Sequence, residues 1–189
     1  GMESLTALSY LDKAPMAVLD LHNNQSFGCK GQTIDAKRDE LSTLVTKGGP
    51  EDLRICTGVR LDEVDIVKKF LNASKPGFRS VGLKPDVLQN KEALEKILSS
   101  VDYLFINHDE DAMMSQNFSW EEVHEIGVKL IVVTRDRYGG RFSFKGKSEG
   151  YKPLRKIEGQ IYSTGAGDWF HGTFHGLLLR QKLKHENLT

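Results

Sequence analysis

Lys129-Leu130-Ile131-Val132-Val133-Thr134 is the stretch on which the fold turns. It is short, apolar at four successive positions from Leu130 to Val133 and rich in β-branched side chains. A strand covered by helices on both faces has this composition, whereas a half-exposed strand alternates apolar with polar. Upstream, Tyr103-Leu104-Phe105-Ile106 has the same character and ends at Asn107, and Phe78 to Leu83 and Leu53 to Gly58 read as two earlier strands. Between them the period changes from 2 to 3.6. Asp62 can cap a helix on which Val64, Val67 and Leu71 share a face, with Ile66 and Phe70 beside them. Pro76-Gly77 ends that helix. Lys91 to Leu98 turns Ala93, Leu94, Ile97 and Leu98 inward. A helical stretch covers about Glu110 to Met114, and Ser119 caps another that runs to Ile126.

Strands alternating with helices imply a mainly parallel sheet joined by right-handed crossovers. Arg141 to Tyr151, with Gly146 and Gly150, reads as an antiparallel hairpin, and the last helix runs from about Ala166 to Lys184. The first fifty residues are less informative. Met16 to Leu21 and Ser26 to Ile34 read as strands, and Asp35 to Lys47 as a short helix before Gly48-Gly49-Pro50. The division expected is therefore 1–52, a lid or sheet-edge part, and 53–189, an α/β core.

The 26 basic and 26 acidic residues balance to a formal charge of zero. A nucleic-acid or membrane-surface protein would carry a basic excess, so neither partner is expected. No apolar run approaches the roughly 20 residues that cross a bilayer, and the start of the chain carries no signal-peptide pattern. Gly1-Met2 reads as a cleavage scar. Cys29 and Cys56 have no metal-binding spacing and are expected as reduced thiols, which fits a cytoplasmic protein. The sequence has no G-x-x-x-x-G-K-[ST] loop, no G-x-G-x-x-G near its start and no G-x-S-x-G elbow.

Chemistry concentrates in Tyr162-Ser163-Thr164-Gly165-Ala166-Gly167-Asp168-Trp169-Phe170. Two glycines at a helix start let the backbone approach an anion, and the unpaired amides of the first turn point at it. Phosphoryl transfer needs such donors. An aspartate in that turn is placed to accept a proton from an attacking hydroxyl. It can also serve only the helix dipole.

Thr164-Gly165-Ala166-Gly167-Asp168 followed by an aromatic pair resembles the C-terminal signature of the PfkB, or ribokinase-like, carbohydrate kinases. Asn107-His108-Asp109-Glu110 is similar to that family's N-x-x-E motif. Val132-Val133-Thr134 followed by Gly139-Gly140 is similar to its strand and T-x-G-x-x-G turn. The three occur in the family's order, and the resemblance covers about Leu53 to the C-terminus.

The resemblance implies an α/β three-layer sandwich with a mainly parallel sheet, incomplete at both ends against family members of about three hundred residues. It implies Asp168 as catalytic base and Gly165, Ala166 and Gly167 as an anion hole. Asn107, Thr134, Gly139 and Thr164 would contact nucleotide, and Glu110 would hold Mg²⁺ through water. The activity implied is transfer of phosphate from ATP to a hydroxyl of a sugar or nucleoside-like molecule, with a homodimer left open. A non-catalytic relative that binds a nucleotide or metabolite, or an assembly module, is the alternative.

Departures exist. Ser163 stands where the family has Asp, at a position tied in several members to a monovalent cation, which leaves potassium activation in doubt. Asp136 replaces the first glycine of the turn, and His171-Gly172 stands for Asn-Gly. Gly48-Gly49, before a proline, does not match the family's sugar-binding G-G. His171 and His175 have a metal-capable spacing without an evident third ligand, and His171 could instead approach bound substrate.

Overall fold

The computed structural model describes residues 17–20, 25–28, 33–34, 53–72, 78–153 and 166–180. Two sheets are present. The smaller is an antiparallel meander of β1 (Ala17–Asp20), β2 (Gln25–Gly28) and β3 (Thr33–Ile34). The second N-terminal strand read from sequence is thus two short strands. The helix expected over 35–47 lies outside the described residues.

The larger sheet has six strands in chain order: β4 (Leu53–Val59), β5 (Phe78–Leu83), β6 (Tyr103–Asn107), β7 (Leu130–Thr134), β8 (Gly140–Phe144) and β9 (Lys147–Tyr151). The first four are parallel, and β8 and β9 add an antiparallel hairpin. Each crossover between parallel strands carries helix. These are α1 (Val64–Asn72), then α2 (Pro85–Leu88) with α3 (Lys91–Leu98), then α4 (His108–Met114) with α5 (Trp120–Ile126). Sequential strand order with right-handed crossovers puts all of them on one face. The last helix, α6 (Ala166–Arg180), packs on the other. Helix, sheet and helix make three layers.

Strand periodicity sorts the core. Leu104, Ile106, Ile131 and Val133 point toward α1–α5, where Val67, Leu71, Leu94, Ile97 and Leu98 meet them. Tyr103, Phe105, Leu130 and Val132 point the other way, where Leu178 and Phe174 of α6 cover them. Both faces are apolar, which is why these strands read as continuous runs.

The helix starts follow local chemistry. Asn90 accepts the amide of Ala93 at 3.0 Å. Ser119 and Glu122 form a reciprocal capping box, with bonds of 3.2 and 2.7 Å. The sequence reading places no element between Leu83 and Lys91. The structure has α2 there, because Pro85 sits at the first helical position, where its missing N–H is no loss. The hairpin is tied to α4 and α5 through Asp111, which accepts from Trp120 Nε1 at 2.7 Å and Arg141 at 2.9 Å. The Arg141 guanidinium also lies over the Trp120 ring.

Candidate functional site

Parallel strands end together, and the residues that follow them share one edge of the sheet. Register makes this concrete. Asn107, the last residue of β6, pairs with Thr134, the last residue of β7, and Thr134 pairs in turn with Gly140 of β8. Two of the residues singled out from sequence are therefore direct neighbours across the sheet.

Asn107 and Glu110 close a capping box at the start of α4. The Asn107 side chain accepts the Glu110 amide at 2.9 Å, and Glu110 Oε2 accepts the Asn107 amide at 2.8 Å. The capping role that this spacing permits is thus made. Glu110 Oε1 keeps no protein donor among the described residues. Burial pushes the Glu110 carboxyl above its usual range. The Asn107 amide and Lys84 act against the rise, whereas Asp109 and Asp168 add to it.

That Asp168 contribution matters, because Asp168 lies 58 positions further along the chain, in the first turn of α6. The fold brings the carboxylates of two separate motifs within electrostatic reach. Asp168 is half-buried, and Ala166 and Gly167 beside it are exposed. Among the described residues, a Cβ added to Gly167 would meet nothing within 4 Å. Thr164, Gly165 and Ser163 lie outside the described residues.

Lys84 is a site residue that the sequence reading missed. It follows β5, donates its amide to the Val59 carbonyl at 2.9 Å, and places its charge near Glu110. Its Cε passes 3.3 Å from where a Cβ on Gly58 would stand. Gly58 has φ of +66° and interrupts the β4–β5 register. No local signal marks Lys84, since a lysine before a helical proline reads as an exposed loop residue.

The turn after β7 is tightly built. Arg135 donates its amide to the Gly139 carbonyl at 2.7 Å across a short 3₁₀ turn, Asp136–Tyr138. Asp136, which stands for a family glycine, adopts φ of +44°, a left-handed conformation unusual for a residue with a side chain. Gly139 has φ of +88°, and a Cβ there would lie 2.1 Å from the Tyr151 carbonyl oxygen. Gly146, in the hairpin turn, has φ of +82°, and a Cβ there would meet nothing within 4 Å among the described residues. Gly146→Ala therefore costs about 1 kcal/mol from backbone conformation alone. Gly139→Ala costs more, at least about 1–3 kcal/mol from conformation, with the overlap in addition. Urea unfolding of the two variants measures the difference, and equal midpoints would refute the close approach.

His171 does not face this edge. It is buried at 2% exposure, with Nε2 2.6 Å from Ser80 Oγ under the sheet. The expectation that it could approach bound substrate is corrected: its place on α6, three residues after Asp168, turns it to the helix side that packs. No group of three or more metal-ligating side chains occurs among the described residues. Trp169, beside Asp168 in the same turn, is 42% exposed.

A family model for the pfkB family carbohydrate kinases matches residues 39–188. Among solved structures, pyridoxal kinase from Bacillus subtilis, an ADP complex, is similar at TM-score 0.62 and 15% identity, covering 97% of this chain and 79% of that one. Ribokinase from Thermotoga maritima is similar at 0.57 and 19%, covering 91% and 57%. Burkholderia thailandensis nucleoside kinase, in complex with ADP-inosine, is similar at 0.56 and 19%, covering 88% and 55%. The chain spans little more than half the length of the ribokinase and the nucleoside kinase. No curated protein matches it.

Proposed function

Because the chain belongs to the pfkB family of carbohydrate kinases, we propose that it transfers the γ-phosphoryl group of ATP to a hydroxyl of a sugar or nucleoside-like small molecule. The observation that carries this reading is that Asp168 comes within electrostatic reach of Glu110, beside the strand ends where Asn107 and Thr134 pair. Asp168 takes the proton of the acceptor hydroxyl as its oxygen attacks the γ-phosphorus. The bond from that phosphorus to the bridging oxygen breaks, ADP leaves, and the proton passes from Asp168 to solvent. Amides of Gly165, Ala166 and Gly167 hold the oxygens of the moving group at the helix start. Thr134 and Gly139 border the nucleotide, with Thr164 beside the anion hole.

The donor set fits Mg²⁺. Glu110 offers a carboxylate oxygen beside the Asn107 side chain, and the negative charge that Asp109 and Asp168 add to the burial of Glu110 is of the kind a hard cation relieves. When bound, Mg²⁺ neutralises charge on the phosphate oxygens. Lys84 contributes positive charge from the neighbouring strand end. Lys84→Met removes an influence that opposes the rise of Glu110, so that carboxyl moves further up. Loss of one charged donor lowers kcat/KM for ATP by roughly 10²–10³-fold. A variant with unchanged kcat/KM would exclude Lys84 from the site.

On this reading residues 53–189 form the phosphotransfer core and residues 1–52 supply lid or sheet-edge strands. A cytoplasmic location belongs to the same proposal. No helix among the described residues is long and apolar enough to cross a membrane.

A second reading, nucleotide binding without turnover, is favoured by Asp136. Its carboxylate replaces a glycine on the turn that would border the phosphates, and like charges there repel. The experiment is an ATP-dependence assay on a panel of sugars and nucleosides, run beside direct ATP titration. Phosphorylated product supports the kinase. Saturable ATP binding with no product from any acceptor supports the second reading, and neither binding nor product removes both.

A further inference from the structure

Ser80 of β5 and two histidines of α6 form a buried polar group that the proposed chemistry does not use. Ser80 Oγ lies 2.6 Å from His171 Nε2 and 2.8 Å from His175 Nε2. Ser80 and His175 are fully buried, and His171 is nearly so. His171 stacks on Phe105 at 4.0 Å between ring centroids, and His175 stacks on Tyr103 at 5.8 Å. Phe174 closes the group edge-on to His175.

A hydroxyl has one proton to give. With both rings neutral, Ser80 donates to one Nε2 and accepts from the other Nε2–H, so each short contact is a full hydrogen bond. A charged His175 breaks this arrangement. Its Nδ1 is buried with no hydrogen-bond partner among the described residues, and protonation would place an N–H and a positive charge there with no acceptor among them. A charged His171 would lie 5.0 Å, ring to ring, from His175.

Among the described residues, the groups that face the pair offer no compensation. β5 presents the neutral Ser80 hydroxyl, and β6 presents Phe105 and the Tyr103 phenol, itself pushed up by burial and by Asp102. On α6, Asp168 lies one turn before His171. Among the described residues, the charge that bears on His171 is that of His175, which disfavours protonation. Burial comes first for each ring. It holds His171 well below the ordinary range and His175 down to about 3.

We propose that His171 and His175, joined through Ser80, are positioning residues that clasp the helix bearing Asp168 to the sheet, and that the clasp holds only while both rings are neutral. The sign follows from linkage. The open state binds protons near the ordinary histidine value of about 6.5, and the docked state does not. Docking is therefore favoured above that pH and lost as pH falls below it. Two rings multiply the opening constant by up to about a hundredfold per pH unit, and one ring by up to about tenfold.

The test uses the whole chain and needs no turnover, so it stands apart from the kinase reading. Amide hydrogen exchange is followed between pH 7.5 and 5, corrected for intrinsic rates. Protection of α6 is expected to fall steeply below about 6.5 while amides of β6 and β7 hold. His175→Phe and His171→Phe should each halve the steepness on a logarithmic scale. In the native chain, two of the six histidine ring signals should stay unmoved in NMR until α6 opens. Variants that keep the native pH dependence would overturn the proposal. So would all six rings titrating in the ordinary range with α6 still protected. Should a variant fail to fold, the native-chain titration decides alone.

Discussion

Replacing Asp168 with Asn is expected to lower phosphotransfer by a factor of roughly 10²–10⁴, the contribution of a positioned general base. The amide keeps the shape of the carboxylate and loses its ability to take a proton, so kcat and kcat/KM should fall together. ATP affinity should hold or improve slightly, because a negative charge near the phosphate oxygens is removed. A second readout is independent of turnover. Asp168 adds to the rise of Glu110, so its neutralisation lets the Glu110 carboxyl move back toward its ordinary value. In a titration followed by NMR, that shift would report the coupling between the two motifs directly. An Asp168→Asn enzyme with undiminished turnover ends the role proposed for this residue. An unmoved Glu110 would instead separate the motifs and leave Asp168 serving only the dipole of α6.

The parts of this fold that could be read in advance are those whose cause is local. Strand β7 and helix α3 carry their limits in four or five neighbouring residues: an apolar β-branched run in one, and a capping Asn90 with inward Ala93, Leu94, Ile97 and Leu98 in the other. The family's motifs then placed Asn107, Glu110, Thr134 and Asp168 on strand ends and helix starts, where the described residues have them. What could not be read is set by residues distant in sequence. Lys84 joins Glu110 only because β5 and β6 are neighbours in a parallel sheet. The metal-like spacing of His171 and His175 reflects one buried helix face, and its meaning depends on Ser80, some ninety residues earlier. By contrast, the division of the second N-terminal strand into β2 and β3 was legible, because Gly28 and Gly31 inside the run from Ser26 to Ile34 mark a turn between two antiparallel strands.

Asp102 should prove the most sensitive single position for stability, at the opposite edge of the sheet. It precedes β6 and is enclosed, with 4% of its side chain exposed. Its Oδ2 accepts from Arg79 Nε at 2.8 Å and from the Arg79 amide at 3.1 Å, and Lys129 Nζ lies 3.0 Å from its Oδ1. Its backbone carbonyl accepts the amides of Lys129 and Leu130, at 2.8 and 3.1 Å. One residue thus joins the amino ends of β5, β6 and β7. Asp102→Ala removes a buried anion and leaves two cations facing each other, which costs about 3–5 kcal/mol. Burial alone would raise the Asp102 carboxyl, but the bonds from Arg79 and Lys129 outweigh it and hold the group below its ordinary 3.8. A depressed carboxylate stabilises the fold above its unfolded value, and that stability is lost as pH falls below about 4 toward the folded value. The histidine pair loses its contribution earlier, from about 6.5 downward. Stability against pH should therefore fall in two steps, the first local to α6 and the second global. Asp102→Asn should shrink the lower step, to which the depressed carboxyls of Asp65 and Glu122 also contribute, and leave the upper one unchanged. Chemical denaturation from pH 7.5 to 3 measures both. If the variant is destabilised by less than about 1 kcal/mol at neutral pH, below the range for a broken buried pair, then Arg79 and Lys129 find other partners and the sheet does not depend on this junction.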